Sequence, residues 1–316
     1  SLNHSPRLVA VKHAPNRQLA ILGAVVAGGF MAVQARVNSG LAAEVESGFL
    51  AALISFSIGL ALISAISLPR KDFRKALKES LRAVRVGKLK VWMLFAGALG
   101  GFFVLTQGLV AGITGIALFS LGVVTGQTIS ALLIDGKGLL GLARRKLTGN
   151  RLAGSAVAIA GLVLASSPTV GGFDIAILVP VVAGIGIGLQ DAINSQVGRE
   201  SGSASVATFF NFLAGTLFLL LVFLLSPVQA GAVELASINP VLFLGGLVGV
   251  GFILIRVVVL PAIGSLATGL SLLAGQLLVS LVLDFLAPVA TRDITVWTLA
   301  GLLLVFAGAS FAMLRR

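Results

Sequence analysis

The chain has 316 residues, of which 57% are hydrophobic and 11% are charged, and it contains no cysteine. Its mean hydropathy of +1.08 is too high for a soluble domain of this length, so the composition predicts a polytopic membrane protein. The absence of cysteine excludes a disulfide framework, a thiol nucleophile and a thiolate metal site. The formal net charge of +12 does not by itself indicate a nucleic-acid partner.

Apolar runs long enough to span a membrane as helices occur ten times along the chain. They cover residues 18–38, 47–68, 91–110, 113–134, 152–167, 174–193, 203–225, 239–260, 262–283 and 296–314. The residues before the first run are polar and basic and lack the cleavage site of a signal peptide. The predicted organisation is a cytoplasmic basic tail at 1–17, a first five-helix repeat at 18–167 and a second at 174–314.

The second half of the chain repeats the first. The motif VVAG-x5-Q-x3-NS fills residues 25–39 and again residues 181–195, an offset of 156. In the middle of each half the offset becomes 149, and near the ends it is 147. Because each half has an odd number of spans, the second half should insert upside down relative to the first. The predicted fold is therefore an all-α integral membrane protein with ten transmembrane helices in two inverted repeats, an arrangement typical of secondary transporters.

The distribution of lysine and arginine predicts the orientation in the membrane. If the N-terminus is cytoplasmic, every basic residue except Arg36, Arg256 and Arg292 falls in a cytoplasmic segment. The positive-inside rule therefore predicts that both termini are cytoplasmic in a cell (plasma or inner) membrane. Trp92 and Trp297 begin the third and tenth spans, where interfacial tryptophans are expected.

The basic loop at 70–85 has an amphipathic pattern. Phe73, Leu77, Leu81 and Val84 share one face of a helix, and the basic residues lie around them. Nucleic-acid binding would explain the charge alone. A helix lying on the anionic cytoplasmic leaflet explains both the charge and the apolar face, and it is the favoured interpretation.

Two pairs of amide side chains are the leading candidates for a substrate site. Gln34 and Asn38 share one face of the first span, and Gln190 and Asn194 share the same face of the sixth. An unsatisfied amide in hydrocarbon costs several kcal/mol, so these side chains should face the protein interior or a water-filled cavity. They either hold helices together by hydrogen bonds or bind substrate. Their recurrence at identical spacing favours the cavity.

Other polar residues occupy equivalent positions in the two halves. Gln127 and Gln276 each follow a glycine, so they either mark a packing notch or contact substrate. Gln107 aligns with Arg256, which either snorkels to the interface or binds an anionic group in the cavity. Ser55 and Asn211 are lesser candidates for the cavity. Asp135 and Asp284 end the fourth and ninth spans, and we expect these carboxylates to be solvated or paired.

Absences narrow the chemistry. The predicted spans contain no Asp, Glu or His near their middle, and the chain has no nucleophile–base set or cluster of metal ligands. Gly136-Lys137-Gly138 is not a phosphate-binding loop, because no Ser or Thr follows the lysine. An enzyme and a bound cofactor or metal are therefore not expected, and ion or substrate gradients would have to drive any active transport.

The repeated Gln-x3-Asn, the Gly-x2-Gly run of the third span and the Gly-Gln followed by Asp in the fourth resemble the YdcZ family of the drug/metabolite transporter superfamily. The resemblance covers about residues 18–314 and occurs twice. It implies that spans one to four and six to nine line a cavity and that spans five and ten lie outside. The resemblance implies export or exchange of small metabolites or drugs. The repeated halves predict alternating access around a site between them. The expected partners are the lipid bilayer and a small molecule, with no nucleic acid, and the expected state is a monomer or a homodimer. A non-transporting sensor or assembly factor with structural amides is the alternative.

Overall fold

A computed structural model describes residues 16–137, 148–166, 175–226, 235–286 and 295–313, and these ranges form helices without any strand. The helices are α1 Arg17–Glu44, α2 Gly48–Ser67, α3 Lys71–Arg85, α4 Gly97–Thr106, α5 Gly112–Thr114, α6 Ile116–Lys137, α7 Gly149–Ser166, α8 Leu178–Ser201, α9 Ala204–Leu225, α10 Gly245–Leu286 and α11 Val296–Met313. A π-helical turn, Gln107–Ala111, joins α4 to α5. Short 3₁₀ turns lie at Val91–Phe95, Ile175–Ile177, Leu235–Ser237 and Pro240–Leu244.

The described helices contain six stretches that are long and apolar enough to cross a membrane. These are Arg17–Glu44, Gly48–Ser67, Val91–Thr114, Ile116–Ile134, Ile175–Ser201 and Ala204–Leu225. Four shorter apolar stretches are Leu152–Ala165, Pro240–Ile253, Ser271–Leu286 and Val296–Gly308. Each stretch overlaps one of the apolar runs in the sequence. The prediction of an all-helical membrane protein is therefore confirmed.

Local sequence explains where several helices begin. Ser47 and Ser203, at equivalent positions in the two halves, are extended residues whose side chains accept from the backbone amides of Leu50 and Val206. A serine in this position satisfies one of the free amides at a helix start. Gly115 separates α5 from α6 at φ +86°, a conformation that favours glycine because it has no Cβ.

Helix α1 is longer than the first apolar run. The sequence places the end of the first span at residue 38, but the helix continues to Glu44. Gln34 and Asn38 therefore lie in the interior of a helix, and both are buried. The polar residues do not end the helix, because other segments cover them: Gln34 bonds to Gly245 and Asn38 bonds to Gln107.

Helix α10 reverses direction within its length. Its backbone is helical from Gly245 to Leu286, yet Ile255 and Leu272 both pack against Ala20 and Ala24 of α1. In a straight helix these two residues would be about 25 Å apart. The chain therefore turns back between Val259 and Ser271, in the region of Pro261. The two arms lie where the sequence predicts the eighth and ninth spans.

Close contacts between the halves recur at equivalent positions. Gly28 and Gly184 lie against the backbone carbonyls of Leu272 and Val123, and Gly275 and Gly126 lie against those of Val25 and Val181. Gly28 of the first half contacts Leu272 of the second, and the equivalent Gly184 of the second half contacts Val123 of the first. The same exchange of halves relates the contacts of Gly275 and Gly126. The Phe56 and Phe212 rings, which are equivalent to each other, meet at 5.1 Å between α2 and α9. The halves are thus packed together along most of their length.

Helices α7 and α11 form a separate pair beside this core. Gly161 and Gly301 each approach the other's backbone carbonyl, and Gly308 approaches that of Gly154. A second apolar cluster, which includes Leu118, Leu162 and Leu302, connects the pair to α6. Small residues let helix backbones approach closely where no water drives association.

Helix α3 buries only part of the apolar face that the sequence predicts. Phe73 packs edge-on against Phe209 of α9 at 5.7 Å, and Ser80 and Ala83 are also buried. Leu81, by contrast, is 53% exposed. It lies beside Arg82 and Arg85 at a shallow cavity. One surface of α3 therefore packs on the protein, and the other carries an apolar side chain among basic ones.

Candidate functional site

A first group of buried polar side chains, here called the first-half cluster, comprises Gln34, Asn38, Ser55 and Gln107. Helix α1 supplies the first two, α2 supplies the serine and the π-helical turn supplies Gln107. Asn38 Nδ2 donates to Gln107 Oε1 at 2.6 Å. Gln34 Nε2 donates to the backbone carbonyl of Gly245 at 3.0 Å, so this cluster already reaches into the other half.

Three polar atoms of the first-half cluster are buried without a hydrogen-bond partner. They are Asn38 Oδ1, Ser55 Oγ and Gln107 Nε2. Asn38 and Gln107 are 0% exposed and Ser55 is 2% exposed. A methyl group on Gly245 would overlap with both Asn38 Oδ1 and Ser55 Oγ, so these two oxygens face the same point of the α10 backbone. Buried polar atoms are normally paired, and three together mark an unusual place in the core.

The equivalent group in the second half, here called the second-half cluster, comprises Gln190, Asn194 and Asn211. Gln190 Nε2 and Asn194 Nδ2 both donate to Asn211 Oδ1, the latter at 3.0 Å. Gln190 Oε1 is buried without a partner. This cluster therefore satisfies more of its own hydrogen-bonding capacity than the first.

Both clusters lie where the two halves meet. Gly249 approaches the Gln34 amide and its counterpart Gly100 approaches the Gln190 amide, so each glutamine is covered by a glycine of the opposite half. The Phe56–Phe212 contact joins α2 and α9 directly beside Ser55 and Asn211. The sequence predicted that the amide pairs share a face, and their helices bring them to one interface.

Gln127 and Gln276 lie elsewhere. Their neighbouring glycines, Gly126 and Gly275, form the α6–α8 and α1–α10 crossings. Gln276 is buried and Gln127 is half-buried. The glycines thus lie at close helix contacts, and the two glutamines take no part in the hydrogen bonds that define the two clusters. The side chains of Arg256 and Asp135, both named by the sequence, lie outside the described residues.

Asp284 binds the start of helix α6, a contact that the sequence did not indicate. Its two carboxylate oxygens accept from the backbone amides of Ile116 at 2.8 Å and Ala117 at 2.6 Å. These are the first residues of α6, immediately after Gly115. The carboxylate therefore caps a helix in the other half, where negative charge is favourable. Gly115 is a visible helix boundary in the sequence, but its capping partner is 168 residues away.

Arg36 carries a positive charge that acts on Asp284. It interacts electrostatically with that carboxylate and is half-buried, with its Nε unpartnered. The sequence treated Arg36 as an exception outside the cytoplasmic segments. It lies within α1, as the first apolar run predicts, between Gln34 and Asn38 but turned away from them, since residues two apart do not share a helix face.

The chemistry available in both clusters is hydrogen bonding. Amides and a hydroxyl can bind and orient a polar group, but they offer no strong base. Among the described residues, no group of three His, Cys, Asp or Glu side chains could hold a metal ion. The two clusters therefore hold polar side chains between helices, where they can hydrogen-bond to one another or to a polar group of another molecule.

Comparison with known proteins gives a family match in two segments. The model of a family described as "Putative inner membrane exporter, YdcZ" matches residues 19–164 and again residues 175–311. No curated protein matches the sequence. Among solved structures, one crystal structure of a protein aligns with a TM-score of 0.53 and 20% identity, covering 93% of this chain and 95% of the other. At that identity, the likeness concerns the fold alone.

Proposed function

This chain belongs to the YdcZ family, as two fused units, and from that membership we propose that it is a multi-pass inner-membrane transporter that exports or exchanges a small molecule. The transporter assignment rests on the family. The mechanism proposed below rests on the geometry of the two polar clusters.

The proposed topology is ten spans in two inverted five-helix repeats, 18–167 and 174–314, with both termini cytoplasmic. The ten apolar stretches support the count, and the reversal of α10 supports two spans within that helix. The exchange of roles between Gly28–Leu272 and Gly184–Val123 supports a pseudo-two-fold relation between the repeats. The distribution of basic residues supports the orientation.

The proposed mechanism is alternating access, in which one repeat rocks against the other around a central site. The observation that carries it is the placement of two equivalent polar clusters at the interface between the halves, each covered by a glycine of the opposite half. In the conformation described, Asn38 and Gln107 are shielded from solvent. Opening the interface toward one side would expose them to that side.

The proposed substrate contacts are Gln34, Asn38, Ser55 and Gln107 in one half and Gln190, Asn194, Asn211 and Arg256 in the other. Gln127 and Gln276, at the α6–α8 and α1–α10 crossings, are proposed as further contacts outside the two clusters. Asn38 and Asn194 are the most informative pair, because they are equivalent and both bind another polar side chain.

The direct test compares compounds released into the medium by cells that overproduce the wild-type protein, an Asn38→Ala/Asn194→Ala variant or neither. Folded variant protein is verified by size-exclusion chromatography of the detergent-solubilised material. We expect at least one compound to accumulate in the medium only with the wild type. Two results together would contradict transport: the same compounds in the media of wild-type and vector cells, and no exchange of compounds by proteoliposomes that contain the wild-type protein.

A non-transporting membrane protein is the second candidate. The bonds of Gln190 and Asn194 to Asn211 favour it, because they are the kind of contact that holds helices together. It predicts that Asn38→Ala and Asn194→Ala lower thermal stability and change no flux. Loss of flux at unchanged stability favours the transporter.

A further inference from the structure

We infer that the two halves are functionally unequal and that the proposed substrate contacts narrow to one of them: the first-half cluster binds the substrate through a neutral group that both donates and accepts hydrogen bonds, whereas the second-half cluster is structural. A hydroxyl or a carboxamide is such a group. This inference rests on the proposed transport function and names the substrate class of its site.

The inequality arises from two equivalent positions. In the second half Asn211 reaches both neighbouring amides and accepts a hydrogen bond from each. In the first half the same position is Ser55, whose shorter side chain leaves its own hydroxyl and Asn38 Oδ1 unpartnered. Beside them lies Gly245, where the other half has the methyl group of Ala96. Each difference removes atoms from the first-half cluster.

The character of the ligand follows from the unpaired atoms. Asn38 and Gln107 use one polar atom each on their mutual bond, which leaves one acceptor and one amide donor free. This result holds whichever way round the two amides are assigned, because each amide carries one acceptor and one donor group. The Ser55 hydroxyl adds a group that can do either. A ligand that only accepts or only donates would leave part of this set unsatisfied.

The surroundings favour a neutral group. The partners seen around the first-half cluster are amides, a hydroxyl, the Gly245 carbonyl and apolar side chains. Arg36, the charged residue of α1 between Gln34 and Asn38, lies on another face of that helix. An ion buried without an opposite charge is strongly disfavoured. The first-half cluster therefore fits an uncharged polar ligand.

Exchange of the two positions between the halves tests the assignment. Ser55→Asn/Gly245→Ala gives the first half the residues of the second, and Asn211→Ser/Ala96→Gly is the matched reverse change. Ser55→Ala keeps the space but removes the hydroxyl. Each full-length protein is purified in detergent, checked by size-exclusion chromatography, and titrated with myo-inositol, nicotinamide, succinate and tetraethylammonium while thermal unfolding is followed.

We expect the hydroxyl or the amide probe to stabilise the wild type, and succinate and tetraethylammonium to leave it unchanged. The first-half exchange should weaken that binding about tenfold or more, and Ser55→Ala should weaken it by a smaller factor. The second-half exchange should lower the unfolding temperature but keep the affinity. Should Ser55→Asn/Gly245→Ala fail to fold, Ser55→Ala alone decides the question, because it adds no atoms.

Three outcomes overturn the inference: stabilisation by the charged probes only, no stabilisation by either neutral probe, or loss of affinity in the second-half exchange with the first-half variants unaffected. Its failure is separable from that of the proposed function. Flux in proteoliposomes that depends on Asn194 and Asn211 but not on Asn38 and Ser55 preserves transport and removes the inference. Neutral-probe binding that depends on Ser55, with no flux of any kind, preserves the site and removes transport.

Discussion

Single glycines set the distance between the two halves. A Cβ on Gly275 would overlap with the backbone carbonyl of Val25, which cannot move without shifting α1. Gly275→Ala should therefore lower the free energy of unfolding by about 1–3 kcal/mol, as overpacking of a tight core does. Chemical or thermal unfolding in detergent measures this change.

Gly198 provides the matched control for that substitution. It lies in α8, and the nearest atoms to a Cβ there are 4.0 Å away. Gly198→Ala should be neutral or stabilise by up to about 1 kcal/mol, since alanine is the better helix former. A Gly275→Ala protein as stable as the Gly198→Ala protein would contradict the close contact at Gly275.

Asn211 and Ser55 form a second matched pair at the residue scale. Asn211→Ala removes the acceptor of two side-chain hydrogen bonds, at about 0.6–2 kcal/mol each in a membrane protein. Ser55→Ala removes a hydroxyl that has no partner. We expect a clear drop in unfolding temperature for Asn211→Ala and almost none for Ser55→Ala. A comparable loss at both positions would indicate that the two clusters are equally structural.

The sequence could identify these residues but not their bonds. Gln34 and Asn38 stand out because the same spacing recurs at Gln190 and Asn194. Their partners come from elsewhere: Gln107 is 69 residues from Asn38, and Gly245 is 211 residues from Gln34. Which amides are satisfied depends on side-chain length at Ser55 and Asn211, and therefore on how the helices pack.

At the scale of elements, helix α6 depends on a residue of α10. Asp284 accepts from the first two amides of α6, and Asp284→Ala would leave these amides unpaired in a partly buried place. Each unmade bond should cost about 1–3 kcal/mol. Thermal unfolding in detergent measures the loss, and Asp72→Ala, at an exposed position of α3, is the control. An Asp284→Ala protein as stable as the control would contradict the capping role.

The thermal stability of the protein should depend on the charge of the lipid headgroups next to helix α3. Leu81 is exposed beside Lys78, Arg82 and Arg85, so this surface combines an apolar side chain with basic ones. Basic residues near an anionic leaflet contribute about 1 kcal/mol each. The wild type should unfold at a higher temperature in phosphatidylglycerol nanodiscs than in phosphatidylcholine nanodiscs, and Lys78→Glu/Arg82→Glu/Arg85→Glu should remove the difference. An unchanged difference would show that the surface does not contact lipid headgroups.

The elements also show how far sequence reasoning reaches. Apolar run length located the six long and four shorter apolar stretches found in the described ranges, since hydropathy is a local property. The end of α1 was placed six residues early, because Gln34 and Asn38 look like an end when their covering helices are unknown. The face of α3 was misassigned in part, because the burial of Phe73 depends on Phe209 of a distant helix.

For the molecule as a whole, the relation between the halves is the property most open to experiment. Lys90 and Asn239 are equivalent, exposed, and each precedes a 3₁₀ turn that leads into a helix of its half. If the repeats are inverted, these two residues lie on opposite sides of the membrane. The first-half loop that contains Lys90 is rich in basic residues and the corresponding segment 226–238 has none, so Lys90 should be cytoplasmic.

The chain contains no cysteine, so single cysteines introduced at these two positions report without background. A membrane-impermeant maleimide added to spheroplasts should label Asn239→Cys directly and Lys90→Cys only after permeabilisation. Lys88→Cys, in the same exposed loop as Lys90, is the control and should behave as Lys90→Cys does. Labelling of Lys90→Cys and Asn239→Cys from the same side would make the repeats parallel. In that case rocking of two inverted halves could not be the transport mechanism, however closely the contacts at Gly28 and Gly184 correspond.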